Sequence, residues 1–231
     1  MARKDRVPNP PKRPQGPQRR HTQTDPAVAA RRRRNLLYAV GGAALLAGAI
    51  AVVAVLASGG AADERQVLED AGCTFQTFAG LDGTHLENLN AKPKWNSNPP
   101  TSGPHYSGPA IWGEYDAPVR LIQSVHNLEH GGIVIHYGSE VPEATVAQIR
   151  GFYNEDPNGL IVAPLPSLRP PNTIALSAWT ASERAAGADD KGRGYLAKCP
   201  QFDEKAFSTF VEEHRYKGPE RFPPDLLKPG S

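Results

Sequence analysis

The sequence predicts an α/β fold, with α+β as the variant, for one exported domain that follows a single transmembrane helix. Two observations carry this prediction: an early run of 22 residues without a charge, and alternating strand and helix patterns in the rest of the chain. We expect a small mixed sheet flanked by helices.

The uncharged run extends from Leu36 to Ala57 and is long enough to cross a bilayer core about 30 Å thick. The preceding 34 residues hold eleven basic and two acidic side chains, a net charge of +9. Basic segments tend to remain on the inner side of a membrane. We therefore expect a disordered basic cytoplasmic tail over 1–34, a transmembrane helix over 35–57, a juxtamembrane spacer and helix over 58–70, and an exported globular domain over 71–231.

This topology implies a single-pass protein of the cell (plasma) membrane, with a cytoplasmic N-terminus and an extracytoplasmic domain. A signal peptide cleaved after Val55-Leu56-Ala57 is the alternative, but 22 residues exceed the usual signal core of about 7–15. The lipid bilayer is the first expected partner, and an envelope protein is a further one. Nucleic acid is not expected, because no aromatic residues are interleaved with the basic ones to stack on bases.

Residues 58–231 differ from the tail in charge and contain both cysteines. They hold fifteen basic and twenty-two acidic residues, a net charge of −7, which is typical of a soluble acidic domain. Cys73 and Cys199 lie near its two ends, and an oxidising compartment favours a disulfide between them. Redox exchange is the less favoured alternative, because the two cysteines do not form a C-x-x-C pair.

Local patterns predict the elements of the exported domain. A helix is expected from Ala61 to Ala71, ended by Gly72, and a proline-rich loop from Pro93 to Pro118. Strands are predicted over Thr74–Phe78, Ile133–Tyr137, Leu160–Val162 and Thr173–Leu176, and helices over Pro142–Tyr153 and after Asp203. The order strand, helix, strand, strand, helix in this distal half is similar to that of a thioredoxin-like fold, by pattern alone. His214 in the last helix is expected to be a solvated surface residue.

The stretch VHNLEHGGIVIHYG, from Val125 to Gly138, places three histidines and a glutamate within eleven positions. His126 and His130 are four apart, so both rings face one side whether the stretch is a helix or a strand. Together with histidines from the preceding loops they predict a site for a divalent transition metal, zinc or copper. The predicted ligands are His85, His105, His126, His130 and Glu129, with His136 as an additional ligand.

Four motifs of the exported part resemble a known family. They are GC at Gly72-Cys73, NPPTSGPHY over 98–106, VHNLEHGG over 125–132, and Cys199 followed by FDEKAF. Across residues 71–220 the chain is similar to the bacterial membrane-anchored domain of unknown function 3105 family. The resemblance implies that seven residues match the family pattern, namely Cys73, His85, His105, His126, Glu129, His130 and Cys199. It implies no reaction, because the family brings no established activity.

Two alternatives to a metal site remain open. Buried histidines beside glycine turns often hold a loop through backbone hydrogen bonds, which would make this a non-catalytic interaction or scaffold domain with structural histidines. HNLEH also fits the H-x-x-E-H pattern of zinc-dependent hydrolases, but Gly131-Gly132 is expected to interrupt the helix that this chemistry needs. An enzyme is therefore the less favoured interpretation, and no catalytic residue is assigned.

Aromatic residues of the proline-rich loop have two interpretations. Trp95, Tyr106 and Trp112 could form a binding surface for a peptide or glycan, because such rings supply rigid contact area. More often, aromatic residues in such a loop cover the edge of a hydrophobic core.

Overall fold

The computed structural model describes residues 63–182 and 191–231, which form a mixed α/β fold with four helices. The predicted tail over 1–34, the predicted transmembrane helix over 35–57 and the first part of the predicted spacer lie outside the described residues. Within the described part of the chain, no helix combines the length and the apolar character that crossing a membrane requires.

One mixed sheet of six strands forms the centre of this fold. Its strands are β1 (Thr74–Ala79), β4 (Gly113–Glu114), β5 (Ile133–Tyr137), β6 (Leu160–Pro164), β7 (Ile174–Thr180) and β8 (Arg193–Cys199). They lie in the order β1-β8-β7-β5-β6-β4, in which β4, β5 and β6 are parallel and the other pairings are antiparallel. A separate parallel pair consists of β2 (His85–Leu86) and β3 (His105–Tyr106).

Helices cover both faces of the six-stranded sheet. They are α1 over 63–70, α2 (Leu121–Glu129), α3 (Glu143–Glu155) and α4 (Glu204–His214), and a 3-10 turn follows at Pro224–Leu226. Side chains alternate between the two faces of a strand. Ile133 and Ile135 of β5 therefore pack with α1, α3 and α4, whereas Val134 packs with α2. The predicted mixed sheet flanked by helices is confirmed.

A disulfide joins the two strands at one edge of the sheet. β1 pairs with β8, which brings Cys73, just before β1, next to Cys199 at the end of β8. Their sulfur atoms are 2.06 Å apart and their Cα atoms are 4.1 Å apart. The two residues are separated by 126 positions, so the bond closes most of the domain into one covalent loop. The bridge agrees with the prediction from the sequence.

His214 is buried, so the prediction of a solvated surface residue is wrong. Its Nε2 lies 2.7 Å from Oε1 of Glu64 in α1, and both side chains are enclosed. Its ring also packs against Phe210 and Tyr195. His214 is the last residue of α4 and lies on the buried side of that helix, where it contacts Glu64, 150 residues earlier in the chain.

Trp112 is also buried, which contradicts its inclusion in a binding surface. Its ring packs over Gly132. A Cβ added at Gly132 would lie 2.2 Å from the indole, so the ring fits there only because glycine has no side chain. Trp95 is partly buried, and its Nε1 donates to the carbonyl of Pro104 at 3.1 Å. Tyr106 is partly buried as well. These positions favour the core-covering interpretation of the loop aromatics.

Candidate metal centre

Two short parallel strands bring the first two histidines together. β2 and β3 pair so that His85 lies opposite His105, and the ring centroids are 4.8 Å apart. The backbone amide of His105 donates to the carbonyl of Thr84 at 3.0 Å, and that of Ser107 donates to the carbonyl of Leu86 at 3.1 Å. His105 is fully buried, whereas 46% of the His85 side chain is exposed. The pair therefore has one ring inside the protein and one at the surface.

The last turn of α2 supplies a third imidazole and a carboxylate. His126, Glu129 and the C-cap residue His130 are three and four positions apart, and residues with this spacing are neighbours on one helix face. The ring of His126 stacks on that of His85, with centroids 5.0 Å apart, and lies 4.8 Å from that of His105. Rings from β2, β3 and α2 therefore meet.

The glycine pair after the motif explains where α2 ends. Gly131 has a φ of +89°, a conformation that residues with a Cβ rarely adopt, and its amide donates to the carbonyl of Leu128 at 3.0 Å. The amide of Gly132 donates to the carbonyl of Asn127 at 2.9 Å, which completes a Schellman cap. The glycines do end the helix, as predicted, but α2 still includes most of the HNLEH motif.

Asn127 fixes the proline-rich loop to α2. Its side-chain oxygen accepts from the amide of Ala110 at 2.9 Å, and its side-chain nitrogen donates to the carbonyl of Ala110 at 2.8 Å. This paired contact is buried and holds the loop that carries His105 beside the helix that carries His126. The role of Asn127 was not predicted from the sequence, because a local pattern cannot identify a partner 17 positions away.

Four ligand atoms converge, one from each of His85, His105, His126 and Glu129, and all of them lie within 4.8 Å of one another. Oε2 of Glu129 is 3.3 Å from Nε2 of His85 and 3.0 Å from Nε2 of His105. Gly83 passes close to this carboxylate, since an added Cβ there would lie 2.1 Å from its Oε1. The structure therefore brings four of the predicted ligands to one point. We call these four residues the inner group.

In two of these rings, Nδ1 is hydrogen-bonded to a backbone carbonyl. Nδ1 of His105 donates to the carbonyl of Gly103 at 2.8 Å, and Nδ1 of His126 donates to the carbonyl of Tyr106 at 2.8 Å. A carbonyl oxygen can only accept, so each Nδ1 carries a proton. In the neutral ring, Nε2 then presents a lone pair to the inner group, which is how metal-binding histidines are oriented.

Nε2 of His105 is buried and makes no hydrogen bond to any of the described residues. Oε2 of Glu129 lies 3.0 Å from it, but not in the direction that a hydrogen bond needs. This buried nitrogen and this carboxylate are therefore close without being joined by a hydrogen bond. A cation between these two atoms would give each of them a partner, because both are metal-ligating atoms.

Burial and neighbouring charges set the protonation of the site. Burial is the main cause that lowers the pKa of His126, and burial and then His126 lower the pKa of His130 to about 4. Burial would raise the pKa of Glu129, but its contacts with His105 and His85 together outweigh burial and hold that pKa below its ordinary value. At neutral pH the site therefore contains neutral His126 and His130 and a charged Glu129, the forms that bind a cation.

A second group lies on the other side of His126. Nε2 of His130 is 3.0 Å from Nε2 of His126 and 3.3 Å from Oε2 of Glu220, and these three residues could also hold a metal ion. The ring of Phe222 covers His130, with centroids 4.0 Å apart. We call His126, His130 and Glu220 the outer group. Glu220 and Phe222 were not predicted from the sequence, because no local pattern connects them with α2.

Backbone hydrogen bonds hold the C-terminal segment, residues 215–222, across the end of α2. The amide of Tyr216 donates to the carbonyl of Gly131 at 2.7 Å, and the amide of Glu220 donates to the carbonyl of Glu129 at 3.0 Å. Carbonyls at a helix end lack partners within the helix, so the segment satisfies that of Glu129, and it also satisfies the carbonyl of Gly131 in the turn that follows. It also fixes the Glu220 carboxylate beside His130.

His136 lies apart from both groups. It is a buried residue of β5, and neither of its ring nitrogens has a hydrogen-bond partner among the described residues. Burial lowers its pKa to about 4. The structure does not bring this predicted additional ligand to the other histidines, because β5 follows the Gly131-Gly132 turn and leads away from the end of α2.

Residues 87–224 match the family described as Protein of unknown function (DUF3105). The matched range includes His105, the HNLEH motif and Cys199, whereas Cys73 and His85 lie before it. No curated protein and no solved structure matches the chain. Because the match covers more than half of the 231 residues, the chain belongs to the DUF3105 family of proteins of unknown function.

Proposed function

We propose that this domain binds one divalent transition-metal ion, zinc or copper, through the inner group. One observation carries the proposal. Nε2 of the fully buried His105 and Nε2 of His85 lie 3.0 and 3.3 Å from the buried carboxylate of Glu129. His126 joins them in the inner group, and Nε2 of His105 has no hydrogen-bond partner among the described residues. The hydrogen bonds from Nδ1 of His105 and His126 to backbone carbonyls are the contacts that commonly orient metal-binding imidazoles.

The set of donor atoms fits zinc or copper(II). Imidazole nitrogens together with a carboxylate oxygen are ligands that both ions accept. Copper(I) prefers sulfur, but the sequence contains one methionine, Met1, and its two cysteines form the disulfide. Four ligands about 2.0–2.2 Å from one ion lie about 3.3–3.6 Å apart in a tetrahedron. Side-chain rotation would therefore close the present spread of at most 4.8 Å.

The exposure of His85 favours an ion that can exchange. Structural zinc sites are closed by four buried ligands, whereas 46% of the His85 side chain is exposed beside the fully buried His105. Solvent or a competing ligand can therefore reach one side of the inner group. This arrangement suits storage, delivery or sensing of a metal better than permanent stabilisation of the fold.

The two alternatives agree less well with the geometry. A scaffold domain with purely structural histidines does not require the ring nitrogens of His85, His105 and His126 to converge with the Glu129 carboxylate, yet these ligand atoms all lie within 4.8 Å of one another. A zinc hydrolase of the H-x-x-E-H type needs Glu129 free to activate water. Glu129 instead contacts His85 and His105.

The proposal also puts this site on the extracytoplasmic side of a membrane. The 22 uncharged residues from Leu36 to Ala57 and the +9 charge before them support a single-pass anchor with a cytoplasmic N-terminus. The disulfide between Cys73 and Cys199 supports an oxidising compartment. The bilayer is then one partner, and an envelope protein that supplies or receives the ion is another.

The connectivity of the distal half supports a thioredoxin-like arrangement. β5, α3 and β6 form a parallel β-α-β unit, and the antiparallel strands β7 and β8 and then α4 follow it. The resemblance concerns the fold alone. Dithiol exchange is not part of the proposal, because both cysteines of the sequence are in the one disulfide.

The test is the ion content of the purified full-length chain after dialysis against Zn²⁺ or Cu²⁺, measured by elemental analysis. Wild type should retain one ion per chain. His105→Ala and His126→Ala should each lower the affinity by about 100-fold or more, because each removes a ligand. His136→Leu is the matched control, since it removes a buried histidine outside both groups and should leave the ion content unchanged.

Two results would contradict the proposal: no ion at saturating Zn²⁺ or Cu²⁺, or equal retention by wild type and by folded His105→Ala. Circular dichroism of each variant separates loss of the ion from loss of the fold. A Glu129→Gln protein that kept its ion and lost a measured peptidase activity would favour the hydrolase instead.

A further inference from the structure

We propose that the outer group is a transfer site through which one ion enters and leaves the inner group, with His126 as the ligand that both groups share. This inference rests on the proposed function, because it concerns the same ion. It adds a path and names His130 and Glu220 as the residues that form it.

The sharing of His126 limits the chain to one ion. Its Nδ1 donates to the carbonyl of Tyr106 at 2.8 Å, so only Nε2 is free to coordinate. His126 belongs to both the inner and the outer group, and its Nε2 lies 3.0 Å from Nε2 of His130, so we infer that this one atom serves both groups. One lone pair binds one ion, so the two groups cannot be filled together. An ion that moves between them can keep its bond to His126 while the other ligands change.

In the ion-free protein a proton occupies the place that the ion would take in the outer group. Nε2 of His126 has no proton, so the hydrogen atom in its 3.0 Å contact with Nε2 of His130 belongs to His130. The same His130 nitrogen lies 3.3 Å from Oε2 of Glu220. A neutral imidazole can carry its proton on either nitrogen. When His130 carries it on Nδ1, two nitrogen lone pairs and a carboxylate face one point.

Exposure increases along this path from His105 to Glu220, while His85 forms a separate exposed side of the inner group. The His105 side chain is fully buried, 11% of the His130 side chain is exposed, and 56% of the Glu220 side chain is exposed. A hydrated cation would meet the Glu220 carboxylate first and then exchange its waters for imidazoles one at a time. The backbone hydrogen bond from Glu220 to Glu129 keeps this carboxylate in reach without any movement of the C-terminal segment.

The experiment measures capture and release of Zn²⁺, or of Cu²⁺ if that is the ion retained, by the full-length chain. Release is followed by stopped flow after mixing the loaded protein with excess chelator. Glu220→Gln should slow both capture and release by about tenfold and change the equilibrium affinity by less than about threefold, because it removes a ligand of the path and not of the final site. Glu212→Gln, an exposed carboxylate of α4, is the matched control and should leave both rates unchanged.

Each contrary result has a separate meaning. Unchanged rates in Glu220→Gln would overturn the inference. They would indicate that the ion enters and leaves on the side of His85 instead. Two bound ions per chain would overturn the sharing of His126. Loss of the ion from Glu220→Gln to the extent seen in Glu129→Gln would make Glu220 a permanent ligand and would also overturn the transfer role. Failure of wild type to bind any ion would instead defeat the proposed function, and it would be evident from the stoichiometry before any rate is measured.

Discussion

His136 gives the domain a pH-dependent stability that is independent of any metal. Its ring is buried on β5, and neither nitrogen has a hydrogen-bond partner among the described residues. Burial lowers its pKa to about 4, whereas an imidazole in an unfolded chain has a pKa of about 6.5. The folded state therefore holds the neutral ring, and the unfolded state binds a proton more readily.

The sign and size of the effect follow from this difference. The contribution of the neutral ring to stability is fully present above pH 6.5 and is lost as the pH falls from about 6.5 to about 4, because only the unfolded chain gains a proton in that range. One pKa unit corresponds to about 1.4 kcal/mol, so the whole loss amounts to about 3 kcal/mol. Most of it, about 2.5 kcal/mol, should occur between pH 7.5 and pH 4.5.

The assay is urea unfolding of wild type and His136→Leu at pH 7.5 and pH 4.5, with a chelator present so that no metal contributes. Both proteins also lose stability through the other buried histidines, and that loss cancels in the comparison. Wild type should lose about 2.5 kcal/mol more than His136→Leu. At pH 7.5 the variant should be within about 1 kcal/mol of wild type or more stable, because it removes two buried nitrogens without partners. Equal losses in the two proteins would refute the reasoning.

Three further predictions concern the disulfide, the packing at the site and the ion. Replacement of Cys73 and Cys199 by Ser should lower the free energy of unfolding by about 4–5 kcal/mol, since the bond closes a long loop; chemical denaturation measures this, and an unchanged midpoint would contradict it. Gly132→Ala should cost about 1–3 kcal/mol, because its Cβ would lie 2.2 Å from the Trp112 ring. Gly151→Ala, where no atom lies within 4 Å of the added Cβ, is the control and should be neutral or stabilising. Zn²⁺ or Cu²⁺ at about 100 times its Kd should add about 2.7 kcal/mol, which corresponds to a rise in Tm of about 5–10 °C by calorimetry; an unchanged Tm would count against binding.

The sequence was sufficient to predict those strands and helices in which the spacing of apolar residues shows which side is buried. β5 begins with three β-branched residues, and α3 and α4 have apolar residues at helical spacing, so their type and position could be predicted. The disulfide followed from the expected compartment and from the number of cysteines. The approach of His126 to His130 followed from their spacing of four residues.

The same reasoning did not predict α2 as a helix, because α2 breaks the usual pattern. This nine-residue helix buries polar side chains, among them Ser124, His126, Asn127 and Glu129. His126 and Glu129 belong to the inner group, and Asn127 bonds the proline-rich loop at Ala110. In the sequence these residues therefore look like a polar turn. Elements that contradict local pattern rules are expected where a protein builds a functional site.

Long-range contacts explain the remaining differences between prediction and structure. Glu220 reaches His130 only because backbone hydrogen bonds hold the C-terminal segment across the end of α2. His214 is buried because α1 brings Glu64 to it. Neither partner can be found from spacing, since spacing describes only neighbours along one strand or helix.

The most direct test of the metal proposal is ¹⁵N NMR of the imidazole nitrogens during addition of one equivalent of Zn²⁺. The account predicts that Nδ1 of His105 and of His126 is protonated before and after addition, while the Nε2 resonance of each ring changes its shift as the ion binds. The proposal would be contradicted if the Nε2 resonances did not change when Zn²⁺ was added. It would also be contradicted if they showed a bound proton at neutral pH before Zn²⁺ was added.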